Sequence, residues 1–245
     1  MDAAFAFSVT LLVVSIDQIP NTTADLMDAM RGIPSFALSV LMIFLFWNGH
    51  RTWSRRFGLE DARATGLSWA LVVSVLCFVY PLKFMMNTIV EVATLGALET
   101  PAEFLLPATK ESMLGELYLM FTVYGVGFAW MSGLFCLMNA HALSMRQALS
   151  LSVAEIYETQ TDRAVWGVAA MTGGVSVVLA AFTPPSVFAW PGMVYWALPI
   201  LIPLYTVRRN RRAPQVSVLD TRRRSGRLKR DRRSPRQKAR LRQRQ

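Results

Sequence analysis

A chain of 245 residues that is 53% hydrophobic, with a mean hydropathy of +0.33 and its apolar residues in long runs, is not an ordinary soluble domain. The net charge of +10 is unevenly placed: from Arg208 onward there are seventeen Lys/Arg against Asp220 and Asp231, a net of +15, which leaves −5 on residues 1–207. These features exclude a uniformly basic, nucleic-acid-coating domain and point to an apolar membrane body followed by a basic tail.

A bilayer core about 30 Å thick takes roughly 20 apolar residues per helix, and only helices or closed barrels satisfy a backbone in lipid. The apolar runs lack the two-residue alternation of barrel strands. An all-α polytopic membrane protein with six spans is predicted, at about 3–16, 33–48, 66–86, 117–138, 164–182 and 186–207. The first run is short, roughly 21 Å at 1.5 Å per residue. It has no basic leader and no small-residue cleavage site, so it reads as an uncleaved helix.

The second run ends Phe46-Trp47-Asn48-Gly49-His50-Arg51, and the third carries Pro81 and then Lys83, whose stem can snorkel outward. In the fourth, Gly125, Ala129 and Gly133 form a small-residue ladder that lets a neighbouring helix approach closely. Thr183-Pro184-Pro185 separates the fifth run from the sixth as a turn. Cys77 and Cys136 lie inside apolar runs without metal-ligand spacing, and read as small buried hydrophobes.

Loop charge sets the orientation. Residues 50–65 hold Arg51, Arg55, Arg56 and Arg63, whereas residues 87–116 hold Lys110 as their only basic residue beside Glu91, Glu99, Glu103, Glu111 and Glu116. The former loop and the tail are therefore cytoplasmic, residues 17–32 and 87–116 are outside, and both termini are inside. The tail, 208–245, is poor in apolar residues and is expected to be disordered. Arg208, Arg209, Arg211 and Arg212 follow directly on the last span, which favours topology and anionic lipid as their role. Nucleic acid is the rival partner, but interleaved aromatics are missing beyond Tyr205.

The sequence offers no nucleophile with a base, no phosphate-cradling glycine loop and no metal-ligand cluster, so no enzyme activity and no cofactor are predicted. A carboxylate near mid-membrane, expected of a proton-coupled transporter, is not visible either.

The first ninety residues resemble prokaryotic members of the transmembrane protein 175 family, which are potassium-permeable channels. That family opens with Arg-x-x-x-Phe-Ser-Asp and a helix like A-F-A-x-x-x-T-L-L-V; here Asp2-Ala3-Ala4-Phe5-Ala6-Phe7-Ser8-Val9-Thr10-Leu11-Leu12-Val13 is similar from the Asp onward. Trp47 and His50 match the family's Trp-x-x-His, and Pro81 matches a proline late in the third span. Met1 stands where the family has Ser, so either the motif is divergent or translation starts upstream; the short first run favours the latter. The resemblance implies that Asp2 faces Trp47 and His50 and holds the first helix in place. An interfacial aromatic and a solvated loop histidine are the alternatives read from the residues alone.

The resemblance also implies a homotetramer whose first helices line a potassium pathway, with Phe7, Thr10 and Val14 facing the pore. Extending that stripe adds Ala3 inward and Asp17 outward. Aromatic and aliphatic rings would constrict by dewetting, Thr10 hydroxyls would partly replace water, and an Asp17 ring would concentrate cations. The expected setting is a bacterial plasma membrane, with potassium as permeant. Packing against lipid explains the same stripe without conduction. A non-conducting scaffold acting through its basic tail and a passive solute carrier are the competing functions.

Overall fold

The computed structural model describes residues 2–14, 22–94, 110–184, 187 and 189–211, and among them every regular element is helical. In chain order these are α1 (Asp2–Val14), α2 (Thr23–Arg31), α3 (Ile33–Phe57), α4 (Ala62–Ala93), α5 (Lys110–Ser144) and α6 (Val153–Phe182). A broken segment follows: α7 (Trp190–Met193), a 3-10 turn (Val194–Ala197) and α8 (Leu198–Asn210). Five stretches are long and apolar enough to cross a bilayer, and α1 is a shorter apolar helix. The chain is an all-helical, multi-span membrane protein, as its hydropathy pattern required.

The helices outrun the apolar runs. α3 continues past Asn48 to Phe57, where Gly58 takes a left-handed conformation (φ 56°) and donates its N–H to the Ser54 carbonyl. α6 starts at Val153, well before Ala164, because Ser152 and Glu155 form a reciprocal capping box. These ends are polar on one side, so hydropathy alone does not reveal them. The stretch 17–32, expected as loop, contains α2, which Thr22 and Asp25 cap in the same way. The sixth run is not one helix: it is broken into α7, the 3-10 turn and α8, with Pro191, Pro199 and Pro203 removing backbone donors along it. α8 carries the chain through Arg208 and Arg209 rather than ending at Val207.

α1 packs on α3 and α4, α4 on α5, and α5 on α6, against which α7, the 3-10 turn and α8 also lie. The side-chain bonds sort by end. Asp2–Trp47, His50–Ser68, Arg56–Glu158, Asp61–His141 and Tyr157–Arg209 gather at the end that loop charge assigns to the cytoplasm. Tyr118–Thr183 and Thr88–Met120 lie towards the other. Helices that alternate in direction across a bilayer produce this sorting.

Lipid gives helices no hydrophobic reason to associate, so close packing carries the association. Gly173 provides it between α5 and α6: a Cβ there would lie 2.8 Å from the Ala129 nitrogen and 2.8 Å from the Gly125 oxygen. Gly125 and Ala129 thus act as the expected small-residue contact. Gly133 does not, for a Cβ there meets nothing within 4 Å. Gly173→Val is expected to lower stability by about 1–3 kcal/mol through overpacking, read as a fall in the detergent melting midpoint, while Gly133→Ala, which meets no neighbour, does not lower it.

Candidate functional site at the first helix

α1 has no glycine or proline, is rich in Ala and Leu, and carries Asp2 in its first turn, where the helix dipole favours a negative charge. Its side chains divide into two faces. Phe5, Ser8 and Leu12 are buried, at 4%, 1% and 0% exposure, against the neighbouring helices. Ala3, Ala6, Phe7, Thr10 and Val13 are exposed, Phe7 by 55%. Of the expected stripe, Ala3, Phe7 and Thr10 therefore share the uncovered face. Val14 ends the helix, and Asp17 lies outside the described residues.

The two hydroxyls on α1 are satisfied within the helix. Ser8 Oγ donates to the Ala4 carbonyl at 3.0 Å and Thr10 Oγ1 to the Ala6 carbonyl at 3.1 Å. The buried Ser8 needs no partner on another helix. Thr10, with its proton directed into the helix, keeps oxygen lone pairs for a group on the exposed side.

The N-terminal end of α1 is tied down by Trp47, whose Nε1–H donates to Asp2 Oδ1 at 3.0 Å. The Arg51 guanidinium lies 4.9 Å above the same indole, and Phe44 sits 5.3 Å to its side. His50, expected with Trp47 to face Asp2, makes its own side-chain hydrogen bond to another helix. It is buried, its Nε2 pairs with Ser68 Oγ on α4 at 3.1 Å, and its ring lies beside Phe5 at 6.5 Å. The loop-histidine alternative does not hold, since His50 is inside α3. Arg51, Ser68 and Phe5 complete this corner and were not singled out from sequence. Only the i, i+4 spacing of Trp47 and Arg51 could have flagged one of them.

Two further ties brace the same end. Arg56 bonds Glu158 at 2.9 Å, Asp162 at 3.3 Å and the Glu155 carbonyl at 2.9 Å, joining α3 to α6. His141 Nε2 meets Asp61 Oδ2 at 2.9 Å, joining the end of α5 to the turn that starts α4. The hydrogen bond from His141 is the main cause holding the Asp61 carboxyl below the usual carboxylate range. A depressed carboxylate contributes stability above its unfolded-state pKa and loses it as pH falls through the folded value. His141→Ala should therefore flatten the acid limb of a melting-temperature profile below about pH 4, the ordinary Asp range.

Of the tail arginines, Arg208 and Arg211 are exposed, Arg209 is half-buried against α6, and Arg212 lies outside the described residues. Among the described residues no cluster of three or more metal-ligating side chains is formed.

Residues 1–81 match the family model described as "Endosomal/lysosomal potassium channel TMEM175". A protein of Marivirga tractuosa described as a potassium channel is 34% identical over 163 residues, 66% of this chain and 64% of that protein. The chain thus aligns with somewhat less than two thirds of that relative's length. A crystal structure of a variant of the potassium channel MtTMEM175, in complex with a nanobody-MBP fusion protein, shares the fold. Its TM-score is 0.72 at 26% identity, with 86% of this chain and 90% of that chain covered. The family and these relatives are ion channels, not enzymes. Its N-terminal segment, a sequence relative and its fold are thus each similar to potassium channels of the TMEM175 family.

Proposed function

We propose that several copies of this chain, four as the family resemblance implies, surround an axis with α1 innermost and pass potassium across a bacterial plasma membrane. The observation that carries this reading is the division of α1. One face is packed on its own subunit, while Ala3, Phe7 and Thr10 on the other remain uncovered. A helix of 13 residues encloses nothing alone, so a pathway along it needs further copies.

In such an assembly Phe7 side chains form an apolar ring that dewets when narrow, and Thr10 oxygens one turn on replace part of the ion's hydration shell. Val14 extends the stripe by spacing, and an Asp17 ring beyond it raises cation concentration at the outer mouth. The Asp2–Trp47 bond fixes the rotation of α1, so that this face rather than its neighbour is presented.

Purified chain in lipid vesicles loaded with potassium should dissipate a potassium gradient, measured with a potassium electrode or a potential-sensitive dye. Folded, incorporated protein that leaves the gradient intact would reject conduction.

A further inference from the structure

The cytoplasmic corner between α6 and α8 holds an arginine in an unusual setting. Arg209 Nη1 donates to Tyr205 Oη at 2.9 Å, and Nη2 donates to Gln160 Oε1 at 3.2 Å. Its guanidinium lies 4.6 Å over the Tyr157 ring, while the Tyr157 hydroxyl donates to the Arg209 carbonyl at 2.7 Å. All of these partners are neutral. Glu158 and Asp162, on the same stretch of α6, pair with Arg56, and Glu155 Oε2 serves the Ser152 cap. Arg209 is therefore an immobilised cation with no carboxylate at ion-pair distance among the described residues, and its Nε is buried without an acceptor. Partly desolvating an unpaired charge is costly unless an anion joins it.

Further guanidinia stand around it. Arg208 and Arg211 are exposed on α8, and Arg163, also exposed, follows Gln160 by three residues, on the same side of α6. Below them runs an apolar track. Ile200, Leu204 and Val207 are exposed by 68%, 46% and 50%, and their spacing of four and three residues continues by four to Arg211. One face of α8 thus reads apolar along the bilayer core and cationic at its boundary. A nucleic acid has no use for the apolar part of that face, whereas a phospholipid fits both parts.

We propose that the α6–α8 corner binds an anionic phospholipid of the inner leaflet. Its acyl chains lie along Ile200, Leu204 and Val207, and its phosphate sits among Arg163, Arg208 and Arg211 beside the fixed charge of Arg209. This differs from general attraction of the basic tail to the membrane, because it requires a particular corner and not merely a total charge.

The test uses the full chain in detergent. Phosphatidylglycerol is titrated in, with phosphatidylcholine and inorganic phosphate as separate arms, and bound lipid is counted by native mass spectrometry. Two variants remove equal charge: Arg163→Gln/Arg208→Gln/Arg211→Gln at the corner, and Arg222→Gln/Arg223→Gln/Arg224→Gln in the tail. Retention of phosphatidylglycerol should weaken roughly tenfold or more in the first and stay near wild type in the second, and restoring lysine at the three corner positions should recover most of it. Equal loss in both variants, or loss in neither, overturns the corner site. Saturation of the corner by inorganic phosphate alone, at the concentrations that suffice for the lipid, overturns the lipid assignment.

Discussion

Phe7→Ala should raise potassium flux through reconstituted protein by about tenfold or more, the largest gain expected of any single substitution. Phe7 is 55% exposed on the uncovered face of α1 and makes no packing contribution comparable to that of Phe5 or Leu12. Its removal therefore costs the subunit little, and melting should change slightly. In a ring of identical chains each substitution acts once per copy, so the constriction widens by several aromatic side chains together. An energetic barrier to a hydrated cation need fall by only about 1.4 kcal/mol to give a tenfold rate. Phe5→Ala supplies the contrast: it empties a buried position next to His50, should lower the melting midpoint, and has no direct route to higher flux. Equal flux from wild type and Phe7→Ala would remove Phe7 from the constriction.

Breaking the Asp2–Trp47 bond should have the largest effect in the opposite direction. Trp47→Phe keeps an aromatic ring for Arg51 and Phe44 but deletes the indole N–H that Asp2 accepts. A hydrogen bond to a charged group is worth about 1.5–3 kcal/mol, and the exposure of Asp2 puts this one at the lower end. That is still about tenfold in the population of correctly held helix. α1 is short and lies in a medium that gives helices no hydrophobic drive to associate, so few other interactions compensate. Asp2→Ala should reproduce the loss of flux, and the double variant should lose little more than either alone. Additive losses would mean that the two residues act separately.

The spans were legible because lipid demands long apolar runs, and such runs are hard to disguise in a sequence. What hydropathy missed were the parts that leave the bilayer. The polar beginning of α6, with Glu155, Tyr157 and Glu158, lacks an apolar signal, and α2 is too short to register. Both were nonetheless announced by Ser152-x-x-Glu155 and Thr22-x-x-Asp25, which are N-terminal signatures readable without any structure. The breaking of the sixth run was similarly announced by Pro191, Pro199 and Pro203.

At the candidate site the spacing of Ala3, Phe7 and Thr10 placed them on one face of a helix, but spacing is silent on whether that face is covered. The packing of Phe5, Ser8 and Leu12 answers this, because it commits the opposite side of α1 to its own subunit. Asp2 and Trp47 were paired through family resemblance. Their separation of 45 residues carries no signal of its own. His50 shows the limit of that route, since its polar contact is Ser68, a residue with no distinguishing pattern around it. Arg209, Gln160 and Tyr157 were illegible for the same reason: the contact arises only once α8 has folded back along α6.

The uncovered face of α1 as the wall of the ion pathway is tested most directly by cysteine accessibility during flux. In a Cys77→Ser/Cys136→Ser background, a charged methanethiosulfonate reagent should block potassium flux through Thr10→Cys and leave Ser8→Cys, on the packed face, untouched. Block at Ser8→Cys instead, or unimpeded flux through a fully modified Thr10→Cys, would contradict an α1-lined pathway.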